Sequence, residues 1–561
     1  AGPRAARHAG AGEVMRPLRS GALLLLAALA GGCGTEAGGA ADETPRPSGG
    51  APAFGDTFVE ATIGAVSGLI PNITSDAASH DVGSLLYSGL VTRDRDLNIV
   101  GDMAESWEFS RDCLDLTLRL RPGVTWHDGR PFTAADVVFT HQTMVHPKTP
   151  TAYKEDFNVV ESIVAPDPLT VRVHYKRPHA KALQSWSTWI LPRHVLEPYV
   201  LEGRLRDASW KQPVGTGPYK LQEVRAAEKV VLVANRDYYD TGPYISRIVY
   251  RVIPSQATIF LELKAGGVDA AGLTALQYTR QTGYPAFRKA YQKFRYPANA
   301  YTYFGFNLKD PRFADKRVRQ AFAHAIDKGQ LIDGVRLGLA REATGPFKPG
   351  TWVYNPNVKR YPHDLDKARR LLAEAGWREK NADGLLVKAG RPFTFTLLTN
   401  QGNDERKKIA EIIQASLREV GVGVDIKILE WASFIKEYVK KRRFEAIVLG
   451  WGIGQDPDQY GIWHSSQTGP DQLNHISFAN AEVDALLERG RTSCHQAERK
   501  KYYDRIQEIL AEEQPLVFLY FPDALPTVAR RVHNIWESPN GIKYNFPEWY
   551  VPKPLQRYTA G

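Results

Sequence analysis

The chain has 561 residues, a formal net charge of +10, 43% hydrophobic and 11% aromatic residues, and only three cysteines. That length allows about three or four domain-sized units, and the apolar content supports a sizeable core. Three cysteines exclude a disulfide-rich scaffold, a four-cysteine zinc site and an iron–sulfur cluster.

The first Met is Met15, followed by Arg16, Arg19 and the apolar run Gly21 to Gly32. A charged start, a short apolar stretch and small residues before Cys33 form an export signal. The run is shorter than the roughly 20 residues a membrane span needs. Residues 15–33 therefore read as a signal peptide, and Leu29-Ala-Gly-Gly-Cys33 resembles the bacterial lipobox, with Cys33 as the lipid attachment site. The plainer alternative is an ordinary cleaved signal with a free thiol nearby. Residues Ala1 to Val14 read as upstream sequence preceding a true start at Met15. Residues 34–54, rich in Gly, Ala, Pro, Ser and Thr, form the expected disordered tether. Such a flexible chain spans about 25 Å root-mean-square. The expected location is outside the cytoplasm, on a bacterial membrane face or in the periplasm.

The first half of the body is β-rich. Leu114, Leu116, Leu118 and Leu120 alternate as a strand that ends at Pro122-Gly123, and Thr133-Ala-Ala-Asp136 opens a helix with a capping box. In the second half, Phe393 to Leu398 reads as a strand. Ile409, Ile412, Ile413, Leu417 and Val420 repeat at helical spacing up to a stop at Gly421. Val422 to Ile428 alternate as a strand, Trp431, Phe434 and Val439 suit a helix, and Phe444 to Leu449 reads as another strand. This β-α-β-α-β order predicts an α/β lobe with a largely parallel sheet. Helices near 480–490 and 495–512 precede the strand Leu516 to Tyr520.

Catalytic motifs are missing. There is no HExxH, no GxSxG elbow and no Walker loop. Gly215-Thr-Gly-Pro-Tyr-Lys220 has the wrong spacing for a phosphate loop, and Pro218 lacks an amide donor. Gly450-Trp-Gly-Ile-Gly454 lacks the full dinucleotide fingerprint. His127-Asp128 and His363-Asp364 read as turn or capping pairs, and the 14 scattered His residues suggest no metal site and no cofactor. The basic charge reads as a solvated face, since no nucleic-acid-binding pattern accompanies it. Cys113 and Cys494 are either two buried thiols or one disulfide.

Several stretches together resemble the family of dipeptide-, oligopeptide- and nickel-binding proteins of ABC importers. They are Met103-Ala-Glu-Ser-Trp-Glu-Phe-Ser110, the run Leu118 to Phe139 around Arg121-Pro-Gly-Val-Thr-Trp-His-Asp-Gly129, Val214-Gly-Thr-Gly-Pro-Tyr219, Asn235-Arg-Asp-Tyr-Tyr239, Phe306-Asn-Leu308, Asp315 to Phe322, Tyr354-Asn-Pro356 and Ala368 to Trp377. Cys113 departs from the pattern, where the family usually has Gly in a turn. The resemblance implies an α/β, periplasmic-binding-protein-like, two-lobed fold of type II with an additional α+β domain. It divides the chain into lobe I at 55–86, 213–303 and 521–561, the extra domain at 87–212, and lobe II at 304–520. Hinge crossings fall near Tyr301–Asn307 and Phe518–Asp523. It further implies a monomeric, non-enzymatic receptor that closes on a solute and delivers it to ABC permease subunits, with no nucleic acid involved.

Open α/β sheets bind ligands beyond the carboxyl ends of their strands. That rule selects Trp451, Gly452, Gly454, Asp456 and Asp458 as ligand-binding candidates: an aromatic wall, close backbone approach, and carboxylates for an ammonium. The plainer alternative is a core Trp and an ordinary Asp-Pro-Asp turn. The family's peptide binders carry an Asp three residues after the matching Trp, and here that residue is Gly454. Asp456 substitutes for it if the loop is one residue shorter. Peptide is the expected cargo. An oligosaccharide, a nickel chelate or another small solute is the alternative, and an exported hydrolase using Asp456 and Asp458 is a third.

Overall fold

The computed structural model describes residues 51–558 apart from 212, 226 and 494. The expected signal, the expected lipidation residue Cys33, the stretch before Met15 and all but the end of the expected tether lie outside the described residues, as does Cys494. Among the described residues no helix is long and apolar enough to cross a membrane.

Two seven-stranded sheets organise the chain. In the first, strand order runs Tyr291–Lys293, Pro526–Ala529, Ala270–Gly272, Gly55–Thr62, Ile245–Val252, Lys229–Ala234, Tyr219–Arg225. Gly55–Thr62 lies parallel to Ile245–Val252 and to Ala270–Gly272. The strands of this sheet come from the start, middle and end of the chain, with Pro526–Ala529 pairing Ala270–Gly272, so this lobe is complete only when the C-terminal segment returns. That segment buries Phe546 and Trp549 edge-on against Phe58, with centroids 5.6 and 5.9 Å away.

The second sheet is built from Tyr296–Pro297, Leu516–Ala524, Ala300–Phe306, Ala446–Gly452, Thr394–Asn400 and Gly423–Leu429, with Ala340–Glu342 added on Leu516–Ala524. The expected β-α-β-α-β unit is present. Its first inner helix, Asp404–Glu419, buries Ile409, Ile413 and Leu417 and stops before Gly421 at φ +85°. Its second is shorter and irregular: one α turn at Trp431–Ser433 continues as a π-helix over Phe434–Val439. The sheet is mixed rather than largely parallel. Thr394–Asn400 runs parallel to Gly423–Leu429 and to Ala446–Gly452, while Ala300–Phe306 and Leu516–Ala524 enter antiparallel. Strand direction there is decided by segments distant in sequence, which no local pattern carries.

The chain passes from the first sheet to the second between Lys293 and Tyr296, slightly earlier than expected, because Tyr296–Pro297 already pairs within the second sheet. It returns between Ala524 and Pro526. The two passages lie side by side: Tyr296–Pro297 pairs with Asp523 and Ala524, and Arg295 bonds Asp523 at 2.7 Å. Two adjacent strands of this kind form a hinge.

A third body is the antiparallel sheet Ala104–Phe109, Asp115–Leu120, Thr170–Tyr175, Val160–Asp167, covered by the helix Ala134–Val145. The expected capping box is present, with the Asp136 carboxylate accepting the Thr133 N–H at 3.0 Å. Both chain connections of this body lead to the first lobe. Two sequence motifs meet where it joins. His127 accepts the Gly215 N–H on Nδ1 (3.1 Å), and its Nε2 lies 3.0 Å from the Gly217 carbonyl. A Cβ at Gly215 would fall 1.8 Å from the Leu86 carbonyl. The Gly-Thr-Gly-Pro run is therefore glycine-rich because backbones touch there, and His127 is a clasp.

The hairpin between Ala104–Phe109 and Asp115–Leu120 turns at Cys113, whose φ of +58° lies in the left-handed region. An L side chain there costs about 1–2 kcal/mol, partly offset by the greater unfolded-state freedom of Gly. Cys113→Gly should raise the unfolding free energy by about 0.5–1 kcal/mol. Chemical denaturation checks this, and a loss of stability would show that the thiol contributes more than the backbone strain.

Candidate functional site

The two lobes face each other across the carboxyl ends of Thr394–Asn400, Gly423–Leu429 and Ala446–Gly452. Trp451 lies there, in register with Tyr301 and stacked on His475 at 5.4 Å and 6°. Burial pushes the His475 imidazole down to about 3, so it stays neutral beside the indole. A Cβ at Gly452 would meet no atom within 4 Å, and one at Gly454 only the Asp456 carbonyl at 3.7 Å. These glycines leave open space beside Trp451.

The two carboxylates of the following loop have partners. Asp456 receives a two-pronged bond from Arg499, at 2.7 and 2.9 Å, and accepts the Asp458 N–H at 2.9 Å. Asp458 accepts the Tyr460 N–H at 3.0 Å and Arg491 Nε at 3.0 Å, with Lys181 Nζ at 3.7 Å, and its side chain is 2% exposed. Burial works to raise its pKa, but Arg491 and Lys181 more than offset this and hold the carboxyl below the usual range. Asp156 completes the cluster, accepting Arg491 Nη2 at 2.8 Å and Lys181 Nζ at 2.6 Å. Asp156 and Lys181 belong to the third body, Asp458 and Arg491 to the second lobe. The cluster therefore bridges the two, helped by the Ala180 N–H bonded to the Arg491 carbonyl at 2.7 Å.

Other contacts join the lobes around the same space. Gln256 accepts the Asp404 N–H at 2.9 Å and donates its own N–H to the Gly402 carbonyl at 3.2 Å. Gln455 reaches Asn540 at 3.2 Å, and Arg206, on the stretch that leads from the third body back to the first lobe, pairs with Asp471 at 2.6 Å. Trp431 lies against Gly64, where a Cβ would fall 3.1 Å from the indole Cδ1. This is a closed arrangement.

Within the first lobe a cavity of about 240 Å³ is lined by Glu60, Asp81, Tyr296, Asn540 and Lys543. Glu60 Oε1 pairs with Lys543 at 2.8 Å, while Oε2 is buried with no hydrogen-bond partner. Burial raises the Glu60 pKa, its largest influence, against the opposing pull of Lys543. A larger hollow of about 1040 Å³, lined by Arg312, Lys388, Lys427 and Arg443 among others, opens at the opposite end of the second sheet, beside Thr394 and Glu445. It lies at the amino ends of the strands, away from the lobe interface, so the cleft fits the sheet rule better.

Residues 98–472 match the model of the bacterial extracellular solute-binding proteins, family 5. The chain belongs to that family. The oligopeptide-binding protein AppA of Bacillus subtilis is 31% identical over 518 residues, covering 91% of this chain and 94% of AppA. The solved structure of AppA with a nonapeptide superposes with a TM-score of 0.85, covering 89% of this chain and 100% of that one. NikZ from Campylobacter jejuni with Ni(L-His) is 28% identical with a TM-score of 0.79, covering 88% and 99%. As a family-5 protein the chain is an extracellular solute-binding receptor of the ABC-importer type, with an α/β two-lobed fold. Its relatives are binding proteins.

Residues at the lobe interface and in the first-lobe cavity of this family-5 receptor carried no sequence signal. Trp431 reads as one more apolar position in a helix stripe, and Glu60 as a strand residue. The same strand-end rule that selected Trp451 would have reached Asn400 had it been applied to Thr394–Asn400.

Proposed function

We propose that this receptor captures peptides in the cleft between its lobes and presents them to permease subunits in the closed form. The observation that carries this reading is the 31% identity to oligopeptide-binding AppA over 91% of the chain. In this reading Trp451, Gly452 and Gly454 face the cargo, the indole as a wall and the glycines as room for a main chain. Asp456 and Asp458 act on the cargo through the loop they hold with Arg499 and Arg491. In this reading lobe I comprises 55–86, 213–295 and 525–561, the extra domain 87–212 and lobe II 296–524, the expected crossings near 303 and 520 shifting to the strand boundaries at Lys293–Tyr296 and Ala524–Pro526, and a lipid on Cys33 keeps the receptor beside its membrane partner. Mass spectrometry of the mature N-terminus tests the lipid: a diacylglyceryl-modified Cys33 is expected, and an unmodified start after Cys33 contradicts it.

A second reading has one specific feature behind it. Gly454 stands where the family's peptide binders carry an ammonium-pairing Asp, and a buried ammonium without a counter-charge is costly. A metal chelate such as the Ni(L-His) held by NikZ needs no such group. Thermal unfolding of cargo-free protein separates the two, because a ligand of the native state adds stability by mass action, about 2.7 kcal/mol at 100 times Kd, and so raises the melting temperature. Peptides of two to nine residues should raise it. Stabilisation by nickel–histidine with no response to any peptide would overturn the peptide reading.

A further inference from the structure

The large hollow at the amino ends of the second sheet is lined by seven basic and two acidic side chains, a surplus of five cations around about 1040 Å³. Both acids are already used: Asp310 and Glu445 pair with Arg312, and Glu445 also accepts the Thr396 N–H. Two more of the cations bond backbone carbonyls, Lys388 at Ala375 (2.8 Å) and Arg442 at Gly469 (3.0 Å). The side chains of Lys309, Arg391, Lys427 and Arg443 are exposed and form no hydrogen bond or ion pair among the described residues. Lys427 lies 5.7 Å from the Tyr438 ring centre. A solvated face intersperses both signs of charge; here the local structure gathers one sign. Lys388 and Arg391 stand directly opposite each other in a hairpin, and like charges so placed destabilise an antiparallel pair. The turn between them, Ala389-Gly390, has φ of +51° and +73°, a geometry that favours Asn-Gly. Lys427 comes from the edge strand Gly423–Leu429, and Arg443 follows Arg442 at φ +53°. A concave wall carrying one sign of charge focuses the field into the hollow.

We propose that this hollow is an anion site, separate from the cargo cleft, for a compact soluble anion with several phosphate groups. Its volume is that of a small-molecule pocket. The surplus of cations calls for a ligand with several negative charges, and linked phosphates carry them in a small space. Arg391 and Arg443 take phosphate oxygens in pairs through their planar guanidinium groups, and Lys309 and Lys427 add point charges on flexible stems. Thr394 and Thr396, which also line the hollow, supply hydroxyl donors. The concave shape favours a free anion over an anionic membrane, whose planar headgroup layer reaches only the rim. The site is independent of which cargo the cleft holds.

Calorimetric titration of the protein as purified with tripolyphosphate is the test. Saturable one-to-one binding is expected, weakening as salt is added. Arg391→Gln combined with Arg443→Gln should weaken it about 10- to 100-fold, the span of a charged hydrogen bond. Both positions are exposed, so the fold tolerates the change. Lys289→Gln combined with Lys501→Gln removes the same charge from two exposed lysines that do not line the hollow, and should leave binding unchanged. Silence of the wild-type protein, which needs no variant to fold, would overturn the proposal. So would equal losses in the two double variants, which would reduce the effect to net charge. Co-sedimentation with phosphatidylglycerol vesicles is the last arm: vesicle binding lost in the hollow variant, with no response to tripolyphosphate, would overturn the soluble anion in favour of a membrane.

Discussion

Arg531→Ala should lower the unfolding free energy by about 3–5 kcal/mol, the usual cost of leaving buried charges without their partner. The guanidinium, 5% exposed, holds Asp269 through two bonds of 2.8 and 2.7 Å, pairs with Asp56, and donates to the Thr57 carbonyl at 2.9 Å. Asp56 begins the first strand, Asp269 precedes the third, and Arg531 follows the returning C-terminal strand. One side chain thus ties together the three segments from which lobe I is assembled. Without it, two carboxylates that are 0% and 3% exposed face each other. Arg531→Lys should recover only part of the loss, since an ammonium cannot make the paired contact to Asp269 and reach Asp56 and Thr57 as well. Urea unfolding measures the effect, and a change below about 1 kcal/mol would show that the cluster contributes little beyond packing.

The second large effect belongs to the cluster that bridges the extra domain and lobe II, and it should appear in a different observable. Asp156→Ala removes the acid shared by Lys181 and Arg491, leaving two cations around Asp458. In lobe I a broken cluster has no escape except unfolding. Here the lobes can separate and return the charges to water, so the cost falls on closure. Asp156 is 24% exposed, so the loss is smaller than for a fully buried pair. About 1–2 kcal/mol is expected, which weakens cargo binding about 5- to 30-fold with little change in urea unfolding. Small-angle scattering at equal cargo concentration should show a larger mean radius for the variant. A double-mutant cycle with Arg491→Ala should give a coupling energy visible in affinity. Unchanged affinity together with a lowered unfolding midpoint would mean that the cluster stabilises the fold and not the closed state.

Local features of the fold were legible in the sequence because their causes are local. The Thr133–Asp136 box, the stripe Ile409 to Leu417 and the stop at Gly421 each depend on neighbours within a turn or two. The mixed direction of the lobe II sheet was not legible, because Ala300–Phe306 and Leu516–Ala524 join it from far along the chain. The candidate site divides in the same way. Trp451 and its glycines follow from a strand and its end. The partners of Asp456 and Asp458 lie 43 and 33 residues onward, and the bridge to Asp156 spans 335 residues. Charge pairs at such separation leave no mark on periodicity, which is why the same acids read as ligand contacts in the sequence and as loop anchors in the structure. His127 shows the reverse case: a His-Asp pair without apparent chemistry acquires a purpose only when Gly215, 88 residues away, donates to it.

The central claim is that a peptide occupies the closed cleft. Mass spectrometry under native conditions, on protein purified from its own cells without unfolding, tests it most directly. The account predicts added masses that are released on denaturation and that sequence as peptides. Released masses that belong to a metal chelate or a sugar, with no peptide among them, would contradict it.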